Sequence, residues 1–144
     1  MAISLEDIRD YEPEPLLDPG LYTLRVGPEP RIITKELSEG GEKHSLLCNC
    51  EVVEGSTQSD GKDPEGREVS IFVQLDNYES VESPRGRKFL KKQCYDFLTA
   101  VGVDVSAGEF DPDAIVGAEF QATCKIGSDQ NGEPQENWSN YKAY

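Results

Sequence analysis

Five cations stand within eight residues, at Arg85, Arg87, Lys88, Lys91 and Lys92, beside a single flanking acid, Glu82. The whole chain holds 14 Lys and Arg against 28 Asp and Glu, a formal net charge of −14. Positive charge is thus gathered at one place in an acidic molecule, and such a patch can hold a phosphate backbone while the rest of the surface repels it. The cluster opens a segment with helical spacing. Cations there oppose the positive end of the helix dipole, and a bound anion relieves that opposition. The alternative is a solvated face paired with the many acids, and on the residues alone the two readings weigh evenly. A third arrangement has the acidic N-terminal segment covering the cluster when no anion is bound.

Aromatic residues supply the second chemistry. Phe72 falls on the polar side of an alternating strand, with Ser70 and Gln74, where an exposed ring is a stacking platform for bases. The alternative packs it under a loop or the N-terminal segment. Trp138 and Tyr141 cannot share a face of a regular strand, so one set is expected in the core and the other on the surface; Trp138 is carried as a candidate contact. Tyr78 is a weaker candidate. Tyr22, Phe97, Phe110 and Phe120 are expected in the core. Among the scattered cations, Arg67, on the strand of Phe72, and Lys125, beside the loop 127–136, are the best placed for a groove.

Signals for catalysis are poor. His44 is the only histidine, which leaves little scope for imidazole acid–base chemistry. No nucleophile elbow, P-loop or dinucleotide glycine pattern is present. Residues 129–132 suggest a calcium loop only faintly, and a hairpin turn explains them better. Cys48, Cys50, Cys94 and Cys124 lack the pair spacing and further ligands of a zinc site. They read as reduced, buried small hydrophobes. No enzyme activity, metal or cofactor is expected.

The elements that would position these groups follow from periodicity. Residues 21–26 alternate with Tyr22, Leu24 and Val26 inward. A break at 27–30 precedes 31–35, which suits a bulge or bend in one long curved strand. Residues 44–53 form a second strand with Leu46, Cys48, Cys50 and Val52 on one side. In 67–75, Val69, Ile71, Val73 and Leu75 alternate with Glu68, Ser70, Phe72 and Gln74. A helix over 87–101 presents Leu90, Cys94, Phe97, Leu98 and Val101 as its apolar stripe, with Gly102 ending it. Strands over 115–126 and 137–144 complete the chain. The expected class is all-β with one helix, and the order of three strands, one helix, two strands is that of an OB-fold. This is a five-stranded Greek-key barrel with its helix between strands three and four. Residues 1–19 carry six acids, one base and three prolines; they are expected to bury little and to form a flexible acidic arm ahead of a domain over 20–144.

Over nearly all of the chain beyond the arm, these pieces resemble the small OB-fold single-stranded-DNA-binding proteins of bacteriophages. The matching segments are Pro19-Gly20-Leu21-Tyr22, Glu54-Gly55, Gly66-Arg67, Phe97-Leu98-Thr99-Ala100-Val101-Gly102, Ile115-Val116-Gly117-Ala118-Glu119-Phe120 and Asn137-Trp138-Ser139-Asn140-Tyr141. Their order and spacing carry the likeness. Ala118 departs from it, standing where the family often has a lysine, which removes one phosphate contact. The resemblance implies sequence-independent single-stranded DNA binding in phage DNA replication or recombination, with a recombinase or replication protein as further partner.

At 144 residues the chain suffices for one modest core. No run approaches the ~20 apolar residues of a membrane span, and the N-terminus lacks the basic start and apolar run of a signal peptide. The expectation is a protein of the cytoplasm, that of the host cell if phage-encoded, which can self-associate through a barrel edge. The rival reading takes the acidity at face value: a protein-binding module or DNA mimic that inhibits a nucleic-acid enzyme. A third is a structural barrel of a virion.

Overall fold

The computed structural model describes residues 1–144. Its strands are β1 (Gly20–Val26), β2 (Arg31–Glu36), β3 (Glu42–Glu54), β4 (Glu68–Gln74), β5 (Glu119–Ser128) and β6 (Pro134–Ala143). One helix, α1 (Pro84–Ala100), separates β4 from β5. The all-β class with one helix holds. The strands form a single six-stranded antiparallel sheet, so the expected count of five gains one.

The extra strand comes from the break at 27–30. Gly27 approaches the neighbouring strand so closely that a Cβ there would lie 2.5 Å from the Asn49 carbonyl oxygen. Two prolines and Glu29 at φ 60 then turn the chain out of the ladder. Both halves lie along the same partner: Val26 opposes Cys50, and Arg31 opposes Leu47. β2 is exposed throughout, because it and the start of β3 form a ribbon that leaves the core.

On its other side β3 pairs with β4; β1 pairs with β5, and β5 with β6. β4 and β6 end the sheet and do not pair with each other. Yet α1 packs against both, so the sheet curls until its two ends share one helix. Ser83 caps that helix by accepting a hydrogen bond from the Gly86 amide at 3.2 Å, and Pro84 fills the first turn. These two residues start it three positions earlier than the apolar stripe indicates. Its buried side sets Phe97 edge-on to Phe120 and Tyr141, with centroids 5.3 and 5.2 Å apart. Such pairs add about 0.5–1.5 kcal/mol beyond the area they bury.

The two C-terminal strands shift along the chain. Pro112–Ile115 is a short 3-10 turn, and Gly117, at φ 85, redirects the backbone before β5 begins. In β6 the expected opposition of Trp138 and Tyr141 fails, since both are buried at 6% exposure. The β5–β6 ladder slips between Gln121 and Thr123, and Asn140 takes a left-handed φ of 54. This one-residue bulge turns both rings inward.

The N-terminal segment is exposed over residues 1–16, as expected of it, but its end departs from that expectation. Leu17 is only 1% exposed and belongs to the core cluster. Its amide donates to Glu136 Oε2 at 2.7 Å, and the Asp18 amide donates to Gln58 Oε1 at 2.7 Å. Asp18 Oδ2 in turn accepts from the Ser59 amide at 2.6 Å. No helix is long and apolar enough to cross a membrane.

Candidate nucleic-acid interface

Because β4 and β6 stay unpaired, a trough of about 810 Å3 runs between them. β4 supplies Ser70, Ile71 and Phe72 to one wall, and β6 supplies Gln135 through Ser139 and Tyr141 to the other. Lys125 and Ile126 of β5 lie beyond β6, and Phe89 and Gln93 of α1 close one end. A second depression of about 460 Å3 shares Ser70, Gln135, Glu136 and Trp138 with it and continues to Leu16.

Three residues expected to meet a ligand come together here: Phe72, Lys125 and Trp138. Phe72 stands in the open at 54% exposure, on the face of β4 that alternation gives it. Trp138 does not. Its indole packs edge-on to Tyr22 at 5.6 Å, so it forms the floor of the trough rather than a free stacking surface. Lys125 is exposed and has no acidic partner.

Phe89 joins Phe72 as a second exposed ring, at 57%, and sequence reasoning passed it over. The signal was present: Phe89 lies off the stripe of Leu90, Cys94, Phe97, Leu98 and Val101. A large aromatic on the polar side of an amphipathic helix has no core to enter.

The five helix-start cations do not act as a block. Arg87 is spent on the chain before the helix, donating from Nε to the Val81 carbonyl at 2.6 Å and from Nη2 to the Glu82 carbonyl at 3.2 Å. Lys92 pairs with Asp96 one turn on. Lys91 stands over the Tyr78 ring, 5.6 Å from its centroid. Tyr78 itself donates to the Gln74 carbonyl at 2.5 Å, and Lys91 covers one face of its ring. Arg85 and Lys88 are exposed with no acid within reach. One turn from Phe89 along the helix, Arg85 and Lys92 are its neighbours.

Arg67 lies elsewhere, just before β4, in a separate depression that it shares with Glu14, Asp60, Asp63, Glu65 and Glu68. Its Nη2 donates to the Pro15 carbonyl at 2.6 Å, and its Nε lies 2.9 Å from Glu14 Oε2. The acidic segment therefore engages Arg67, and none of its acids pairs with the helix-start cluster. Leu16 and Leu17 are the missed signal for this docking: two adjacent apolar residues in a run, 12–19, otherwise made of acids and prolines.

All four cysteines are free and buried, as expected. Burial raises every thiol, Cys48 and Cys124 to about 11 and Cys50 to about 12. None is poised as a nucleophile, since reactive thiols require the opposite shift. The chain matches no protein-family model and no curated protein.

Proposed function

We propose that the chain is an OB-fold protein that binds single-stranded DNA without sequence preference, in phage DNA replication or recombination. The fold assignment rests on pairing order: β4, β3, β1, β5, β6 in sequence around the sheet, with the helix between β4 and β5. β1 and β2 count as one bent strand on this reading, because both lie along β3. The resemblance to phage proteins of this class supplies the biological setting.

The observation that carries the function is the pair of exposed rings, Phe72 and Phe89, at the walls of one trough with Lys125 at its side. Every base has a π face, so stacking on such rings tolerates any sequence and contributes ~1–3 kcal/mol per base. Arg85, Lys88, Lys91 and Lys125 are free of acids and can follow the phosphates. Extended single strand offers bases and phosphates together, whereas duplex hides its base faces in the stack.

The test is fluorescence anisotropy of a labelled oligo-dT of about 30 nucleotides against matched duplex, at about 20 and 200 mM salt. Salt-sensitive binding to the single strand alone supports the reading. Absence of binding at the lower salt sinks it.

One observation favours the acidic rival. Glu14, Asp18, Asp60, Asp63, Glu65 and Glu68 line a depression of about 590 Å3 beside Arg67. A protein partner with a basic surface would meet carboxylates there. The exposed face of β4 itself carries a single acid, Glu68, beside Ser70 and Phe72, and the wall on β6 adds Glu136; this sparse acidity favours nucleic acid over a basic partner in the trough.

A further inference from the structure

The ribbon of β2 and the start of β3 sorts its charges by face. Its register sets Lys35 directly opposite Lys43, and the next pair, Glu36 and Glu42, directly opposite each other. Like charges so placed destabilise an antiparallel ladder. Exchanging only Glu42 with Lys43 would turn both pairs into ion pairs. Successive side chains alternate, so the two lysines share one face and the two acids the other.

On the acidic face His44 gives some relief, lying 2.7 Å from Asp76 Oδ2 and 3.8 Å from Glu42 Oε2. The cationic face has none. Lys35, Lys43 and Arg31 lie on it together, and no acid pairs with any of them. This is also the face of Phe72, because Phe72 opposes Leu47 on β3 and Leu47 opposes Arg31 on β2. The three make one row across three strands, which sets Arg31 about 10 Å from Phe72 at ~4.8 Å per strand. Lys35 and Lys43 stand about 13 Å further along the ribbon, at ~3.3 Å per residue. Phe72 thus joins the trough on one side to a run of unpaired cations on the other.

We infer that Arg31, Lys35 and Lys43 form a second phosphate track, along which single-stranded DNA continues after stacking on Phe72. Resting on the single-stranded-DNA reading above, the inference adds a path and a side. Phosphates relieve the opposition of Lys35 and Lys43. Glu36 and Glu42 repel them from the reverse face, so the strand follows the ribbon on the side of Phe72 alone.

The test measures the affinity of the full chain for oligo-dT of about 30 nucleotides between about 20 and 200 mM salt. Arg85, Lys88, Lys91 and Lys125 alone give a slope of log K against log salt near −2.8, and three more contacts at ~0.7 each bring it to about −4.9. The triple variant Arg31→Gln, Lys35→Gln, Lys43→Gln should return it to about −2.8, so the advantage of the wild type shrinks roughly a hundredfold over that range. Arg9→Gln, Lys62→Gln and Lys142→Gln together remove the same charge elsewhere and should leave the slope near that of the wild type. Lys43→Glu gives Lys35 a partner, so it should weaken binding without lowering the melting temperature. Equal losses in the two triple variants would overturn the track as a general charge effect. An unchanged slope in the ribbon variant, with Phe72→Ala still weakening binding, would overturn it and leave the function standing. Absence of binding by the wild type would remove both.

Discussion

The Leu17 amide donates to the Glu136 carboxylate at 2.7 Å, and this bond ties the N-terminal segment to β6. The neighbouring contacts of Glu14 and Pro15 with Arg67 tie the same segment to β4. Two sheet ends that never pair are thus bridged at one end of their gap by an irregular segment and at the other by α1.

Leu17 should therefore behave as a core residue although it precedes the first strand. Leu17→Ala is expected to cost about 2–4 kcal/mol by leaving a cavity, lowering the melting temperature by roughly 6–12 °C. Removing residues 1–13, which are exposed throughout, should leave the melting temperature nearly unchanged. Thermal unfolding by circular dichroism compares the two; equal effects would contradict the packing.

Phe72 and Phe89 separate binding from stability. Both rings are more than half exposed, so Phe72→Ala and Phe89→Ala should unfold within about 0.5 kcal/mol of wild type. Each should weaken oligo-dT binding by ~1–3 kcal/mol. Phe97→Ala should do the reverse, because that ring is fully buried among Phe120 and Tyr141.

The cation contacts predict a particular salt dependence. Arg85, Lys88, Lys91 and Lys125 lack acidic partners, while Arg87 is committed to the backbone and Lys92 to Asp96. Four phosphate contacts at ~0.7 each give a slope of log K against log salt near −2.8, against about −3.5 for the intact cluster of five. Arg87→Ala should mainly lower stability, and a loss of binding larger than that of Arg85→Ala would contradict this division.

Alkaline pH should destabilise the protein through its buried thiols. The ordinary thiol value is 9.0, and burial raises Cys48 and Cys124 to about 11 and Cys50 to about 12. Tyr22, Tyr78 and Tyr141 shift upward as well, desolvation being the largest cause in each. Below pH 9 these thiols are neutral in both states and their contribution is complete. Above it the unfolded chain releases protons first, so stability falls through pH 11–12, by about 1.4 kcal/mol per pH unit for each thiol. Denaturant titrations at pH 8 and about pH 10 read the difference. A flat profile would mean the thiols are open to water.

Gly27 carries the bend between β1 and β2. Its substitution by Ala puts a Cβ 2.5 Å from the Asn49 carbonyl oxygen, which is backbone and cannot swing aside. The amide of Gly27 also donates to that oxygen at 2.8 Å. Gly27→Ala should destabilise by about 1–3 kcal/mol, whereas Gly61→Ala, with open space at its Cβ but a left-handed φ of 83, should cost about 1 kcal/mol. Chemical denaturation ranks them.

Local pattern alone determined much of this protein. Period-two alternation identified the inward residues of β1, β3 and β4, and the 3.6 period found the buried stripe of α1, because those signals depend only on neighbours in the chain. The cations, Phe72 and the reduced, buried cysteines were equally legible. Tertiary structure decided the rest. A bulge at Asn140 brought Trp138 and Tyr141 to the same side, against the strict alternation a regular strand imposes. Arg87 was consumed by carbonyls before the helix, and Arg67 by a segment some fifty residues away. Above all, Leu17 entered the core cluster, its amide held by Glu136 of β6. No neighbour in the chain announces that partner, 119 residues away; the contact exists only once the fold has brought β6 beside the segment.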